Sequence, residues 1–106
     1  MKILIAEDDE NMSKILKLYL QREGYSVDVV FNGKDTISYL EENQVDLLLL
    51  DWMLPYKSGI EICQEIKTLD IPVKIIMITA KTTSLSYISL KVYTNFGILP
   101  TYRNKH

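Results

Sequence analysis

The apolar run Leu47-Leu48-Leu49-Leu50, closed at once by the single carboxylate Asp51, constrains this chain more than any other stretch. It shows no polar alternation, the pattern of a central parallel strand covered on both faces. Asn43 before it, Pro55 after it and its short length separate it from a buried helix. Asp51 is thereby expected at the carboxyl end of a central strand, and in open α/β sheets ligands bind in the crevice beyond such ends.

The rest of the chain alternates in the same grammar. Lys2 to Ala6 is short, apolar and β-branched and reads as a buried strand, followed directly by Glu7, Asp8, Asp9 and Glu10. Met12, Ile15, Leu16, Tyr19 and Leu20 then fall at helical spacing, as the core face of a first helix that stops at Gly24. Tyr25 to Phe31 reads as a second strand, and Asn32, with Asp35 three residues on, as the N-cap of a helix buried through Ile37 and Leu40. After Asp51, Ser58-Gly59-Ile60-Glu61 has the spacing of a capping box, opening a third helix with an inward face of Ile62, Cys63, Ile66 and Leu69. Val73 to Thr79 reads as the fourth strand.

Strands and crossover-length helices in alternation imply an α/β, doubly wound, mostly parallel sheet with helices on both faces. Beyond Ala80 the pattern divides: Leu85, Ile88, Val92 and Phe96 suit a helix, whereas Ile88, Leu90 and Val92 alternate as a strand.

Composition narrows the function classes. With 106 residues, 47% hydrophobic, 25% charged and net charge −2, the chain reads as one globular domain. Cys63 is the only cysteine, so no internal disulfide forms, and its place on a helical stripe reads as a small core residue. No apolar stretch reaches bilayer length, and the amino terminus turns acidic too soon for a signal peptide, so a cytoplasmic location is expected. All 14 acids lie at or before Asp70; residues 1–70 carry net −7 and residues 71–106 net +5. The five late basic residues stand singly, which argues against a nucleic-acid or membrane patch.

Parallel strands end on one edge of a sheet, so Glu7 and Asp8, Asp51 and Thr79 are expected together. Carboxylates so gathered repel, which raises a pKa or recruits a cation, and oxygen ligands that leave room for water suit Mg²⁺. A carboxylate beside Mg²⁺ can attack phosphorus and form an aspartyl phosphate, with a hydroxyl such as that of Thr79 bonding an equatorial oxygen. The competing reading is local: acids at residues 7–10 stabilise the first helix's amino end, and Thr79 merely ends a strand.

ILIAEDDE, LLLLDWMLPYKSG and IIMITAK, in this order, resemble the strand-end motifs of receiver domains of bacterial two-component response regulators, the CheY-like superfamily. The resemblance covers residues 1 to about 81 and implies a flavodoxin-like fold; the strand order 2-1-3-4-5 is the one known for CheY itself. It implies that Asp51 is the phosphoacceptor for a sensor histidine kinase and that Asp8 binds Mg²⁺ directly. It further implies that Glu7 acts through metal-bound water, that the Met53 carbonyl completes the protein ligands, and that Thr79 is the switch hydroxyl beside small Ala80. The DWMLP wording looks most like the OmpR/PhoB type, which carries a winged-helix DNA-binding domain after the receiver; none is present here. On this reading the chain is a signalling module rather than an enzyme, with no nucleic-acid or membrane contact of its own.

The match stops after Lys81. Receiver domains place a Lys-Pro pair at the end of a fifth strand, where this chain has Leu99-Pro100, and the final helix has no counterpart before His106. Residues 1–81 are therefore expected to form the receiver-like core, and residues 82–106 a divergent or frameshifted tail of the same domain, with impaired output. An apolar surface left open by a missing last helix would favour a homodimer. The rival is a phosphorylation-independent decoy or dimerisation module that engages a kinase or regulator through the first helix. Haloacid-dehalogenase-type phosphohydrolases need a second Asp two residues after the nucleophile, where Met53 stands. A flavin binder would want a Ser/Thr-rich phosphate loop where residues 7–10 are all acidic.

Overall fold

The computed structural model describes residues 1–80, 87–94, 97–98 and 102–105, with side chains through Ile78. In chain order the elements are β1 (Lys2–Ala6), α1 (Glu10–Arg22), β2 (Ser26–Val30), α2 (Gly33–Glu42), β3 (Leu47–Asp51), α3 (Gly59–Thr68) and β4 (Lys74–Ala80). They are followed by β5 (Tyr87–Thr94), β6 (Gly97–Ile98) and β7 (Tyr102–Lys105). One sheet runs β2-β1-β3-β4-β5-β6, with β7 beside β5. Its first four strands are parallel, with Ile5 opposite both Val29 and Leu49, and Leu49 opposite Ile76. This is the flavodoxin-like doubly wound order 2-1-3-4 expected from the sequence.

Beyond β4 the direction reverses. β5 pairs antiparallel to β4, with Ile78 opposite Leu90. Residues 81–86 are too few for a parallel crossover, which takes a dozen or more, but ample for a hairpin. Of the two patterns open in the sequence, the alternation of Ile88, Leu90 and Val92 is the one the backbone follows.

Helix starts are set by local chemistry. The Asp9 carboxylate accepts from the backbone N–H of Asn11 and Met12 at 2.9 and 3.1 Å and caps α1. Asn32 accepts from Asp35 N–H at 2.8 Å, the expected cap of α2. Ser58 and Glu61 form the reciprocal capping box of α3.

The two sides of the sheet are unequal. On one side Leu4, Ala6, Leu48, Leu50, Ile75 and Met77 pack under Ile37 and Leu40 of α2 and Ile62 and Ile66 of α3, all buried. On the other, the buried apolar residues among those described are Ile3, Ile5 and Val27, beneath Leu16 and Leu20 of α1. The Leu47 to Leu50 run, expected to be covered on both faces, is therefore buried at Leu48 and Leu50 and only part-buried at Leu47 and Leu49. The reason is that α1 sits on β1 and β2 and leaves β3 largely uncovered on that face.

The same placement corrects the first helix. Ser13, Leu16 and Leu20 face the sheet, while Met12, Ile15 and Tyr19, expected in the core, are exposed. In α3, Ile62 and Ile66 are buried and Cys63 half-buried, but Leu69 is the C-cap and lies open to solvent. Burial pushes the Cys63 thiol up to about 11, which suits a packing residue. Tyr39 ties α2 to the edge strand: its hydroxyl donates to Asp28, which also accepts from Lys2 Nζ at 2.8 Å. Among the described residues no helix is long and apolar enough to cross a membrane.

Candidate metal and phosphoacceptor site

The site lies at the carboxyl edge of the parallel strands. β1 and β3 are hydrogen-bonded neighbours in register, Ala6 opposite Leu50, so the residues that follow them emerge side by side. Glu7 continues β1 with its N–H donating to the carbonyl of Val30 at 3.1 Å, and Asp8 follows before the α1 cap. Asp51 is the last residue of β3. One carboxylate oxygen from each of Glu7, Asp8 and Asp51 lies within 4.8 Å of the others. Glu7 and Asp51 are half-buried and Asp8 is exposed, so the cluster opens to solvent on one side.

The electrostatics follow from that crowding. Burial, with the charges of Asp51 and Asp8 adding to it, pushes the Glu7 carboxyl up to about 7, against the opposing hydrogen bond from Asp9 N–H. Asp51 is also raised, by burial and by Asp8, while the backbone N–H groups of Met53 and Trp52 oppose the shift. Three hard oxygen donors, one side open to water and mutual repulsion that a cation would relieve form a donor set that fits Mg²⁺.

Of the residues expected here, Glu7, Asp8 and Asp51 meet. Met53 lies two residues past Asp51 in the loop to α3, held by a bridge to Ser58. Thr79 stands on β4 one residue beyond Ile78, the register partner of Asp51; its side chain lies outside the described residues. The Leu99-Pro100 match to the family's Lys-Pro pair also falls outside them.

One residue of the site escaped the sequence reading. Gly59 donates to the carbonyl of Trp52 at 2.8 Å, and a Cβ there would meet Asp51 O at 3.1 Å, Trp52 O at 3.2 Å and Met77 Cε at 3.0 Å. The available signal was a glycine in the first turn of a well-capped helix, where alanine is the better helix former. Gly59→Ala is expected to push α3 off the end of β3, costing about 1–2 kcal/mol by crowding; urea unfolding midpoints at equal slope measure the loss.

Comparisons with known proteins agree with this geometry. The response regulator receiver domain family matches residues 3–98. The response regulator ArlR of Staphylococcus saprophyticus is 43% identical over 81 residues, 76% of this chain and 36% of that protein. The phosphate regulon transcriptional regulatory protein PhoB of Rhizobium meliloti is 43% identical over 84 residues, again 76% of this chain and 36% of that protein. This chain thus spans about a third of the length of these curated relatives. Among solved structures, the response regulator TrrA of Thermotoga maritima in complex with Mg²⁺-BeF superposes with a TM-score of 0.71 at 36% identity, covering 76% of this chain and 70% of that one. The receiver domain of the Francisella response regulator 1452 superposes with a TM-score of 0.73 at 28% identity, covering 78% and 69%. Strand order, acidic strand ends and a family match over most of its length together make this chain a member of the response regulator receiver domain family of two-component phosphorelay signalling.

Proposed function

We propose that Asp51 accepts a phosphoryl group from the phosphohistidine of a sensor histidine kinase. The observation that carries this reading is the convergence of Glu7, Asp8 and Asp51 within 4.8 Å at the end of adjacent parallel strands. An Asp51 carboxylate oxygen attacks phosphorus, the new P–O bond forms as the P–N bond to the kinase histidine breaks, and the electron pair leaves with that nitrogen. Glu7, Asp8, Asp51 and the Met53 carbonyl would hold Mg²⁺, which when bound supplies positive charge against the phosphoryl oxygens. Thr79 stands one residue past Asp51's register partner, and this reading gives its hydroxyl the role of donating to the transferred group. The Mg²⁺-BeF complex of the TrrA relative supports the same ligand class.

Receiver domains are signalling modules rather than classical enzymes, so the product of the transfer is a changed surface. In this chain that output is impaired, because Gly97-Ile98-Leu99-Pro100 supplies no lysine before the proline. The loss of all acids after Asp70 supports a shifted reading frame beyond Lys81. Finding homologous sequence in another frame of the coding DNA is the expected result, and its absence would leave natural divergence.

Intact mass after incubation with a small-molecule phosphodonor and Mg²⁺ tests the central step. One phosphoryl group on the parent and none on Asp51→Asn is expected, with Trp52 fluorescence reporting that both are folded. A folded parent that gains none would leave the phosphorylation-independent module as the better reading.

A further inference from the structure

The loop from Asp51 to α3 is held at both ends and once in the middle. Trp52 N–H donates to the carbonyl of Ile78 at 3.2 Å, and Gly59 N–H to that of Trp52 at 2.8 Å. Met53 and Ser58 bridge across the loop, and Lys57 Nζ pairs with Glu65 of α3. The middle hold comes from a different element. Gly33, the first residue of α2, donates its N–H to the carbonyl of Pro55 at 3.2 Å.

Tyr56, the next residue, marks how firmly the loop is fixed. Its φ of 74° lies in the left-handed region, which a bulky side chain disfavours. The side chain is 83% exposed, so its own packing does not keep it there. Such a conformation persists where the surroundings over-determine the backbone. Here the Gly33 bond to Pro55 acts on one side and the Met53–Ser58 bridge spans the turn.

Gly33 is buried, and what it supplies is room. Its own φ is not in the left-handed region, so its conformation does not call for glycine, and alanine is the better helix former. A Cβ at this position would lie 2.6 Å from Lys57 Cβ and 3.2 Å from both Lys57 Cγ and Ile62 Cδ1. The last two atoms can turn aside by rotation about side-chain bonds, whereas Lys57 Cβ moves only with its backbone. A methyl group here therefore displaces Lys57 or the start of α2, and either movement strains the bond to Pro55. Lys57 adjoins Ser58, which is bridged to Met53, so the displacement reaches the Met53 peptide.

We propose that Gly33 is a positioning residue of the metal site: by letting α2 approach so closely, it fixes the loop that presents the Met53 carbonyl, and this role rests on the reading above in which that carbonyl is a Mg²⁺ ligand. Gly33 acts through Pro55 and Lys57 and not on the ion itself. Groups that orient metal ligands from behind commonly change metal affinity by about tenfold or more when altered.

Isothermal titration calorimetry of the full chain with Mg²⁺ alone tests the proposal, with circular dichroism showing that each variant is folded. Gly33→Ala is expected to bind Mg²⁺ about tenfold more weakly than the parent. Val45→Ala, which loses buried methyl groups at the opposite, amino end of the sheet, is expected to bind as the parent does. Adding Lys57→Gly to Gly33→Ala removes the Cβ that the new methyl meets and is expected to recover part of the lost affinity. A parent that binds Mg²⁺ no better than Asp51→Asn overturns the metal reading and this role with it. A parent that binds, with Asp51→Asn weakened and Gly33→Ala equal to the parent, overturns the role of Gly33 alone. Val45→Ala as weak as Gly33→Ala, or a double variant no tighter than Gly33→Ala, also overturns it.

Discussion

Adding Mg²⁺ at about pH 8 raises the thermal unfolding midpoint of this chain, and the rise shrinks as pH falls below about 7. Glu7 sets the window. Its carboxyl stands at about 7 in the folded chain against an ordinary 4.5. Between these values the folded chain holds a proton that the unfolded chain has released. The folded state binds more protons there, so without metal the site's contribution to stability falls as pH rises through the window and levels off above it. Because Glu7 is part-exposed, water screens the effect, which amounts to about 1 kcal/mol. A cation competes for the oxygens that the proton occupies, so its benefit grows as the proton leaves. At tenfold excess over its dissociation constant, Mg²⁺ contributes about 1.4 kcal/mol, or about 5–10 °C for a domain of this size. Differential scanning fluorimetry across pH, with and without Mg²⁺, measures both slopes. Equal Mg²⁺ shifts at about pH 5 and about pH 8 would contradict the carboxylate cluster as the binding site.

Leu48→Ala is expected to cost about 3 kcal/mol and Leu49→Ala about 1 kcal/mol, although the two leucines are adjacent in one uniform run. Leu48 is fully buried beneath α2 and α3, so truncation leaves a cavity between elements that cannot close on it. Leu49 faces the half-covered side and is part-buried, so water reaches the space and the transfer loss is smaller. Urea unfolding midpoints at equal slope give the difference directly. Equal losses would mean that both faces of β3 are sealed. For a small domain, a loss of about 3 kcal/mol is a large part of a total of about 5–15.

The helix caps at Asn32 and Ser58 were legible in the sequence because each is a bond between residues three apart. Ile37, Leu40, Ile62 and Ile66 were legible for a related reason, since helical periodicity reports which residues share a face. Periodicity does not report whether anything lies against that face. Met12, Ile15 and Tyr19 have the spacing of a core stripe and are exposed, because α1 meets the sheet through Ser13, Leu16 and Leu20 instead. The four-leucine run misled in the same way, for it is equally apolar on the side that α2 and α3 cover and on the side that α1 leaves half open.

By itself the sequence determined the alternation of strands and helices, their caps, and the gathering of Glu7, Asp8 and Asp51, because parallel strands must end on one edge. The tertiary structure alone decided how close those carboxylates come, that Gly59 must pack against the backbone of Asp51 and Trp52, that β5 turns back along β4, and that one sheet face is thinly covered. The division has a physical cause: hydrogen bonds and periodicity act within a few residues, while distance, cover and strand direction depend on segments far apart in the chain.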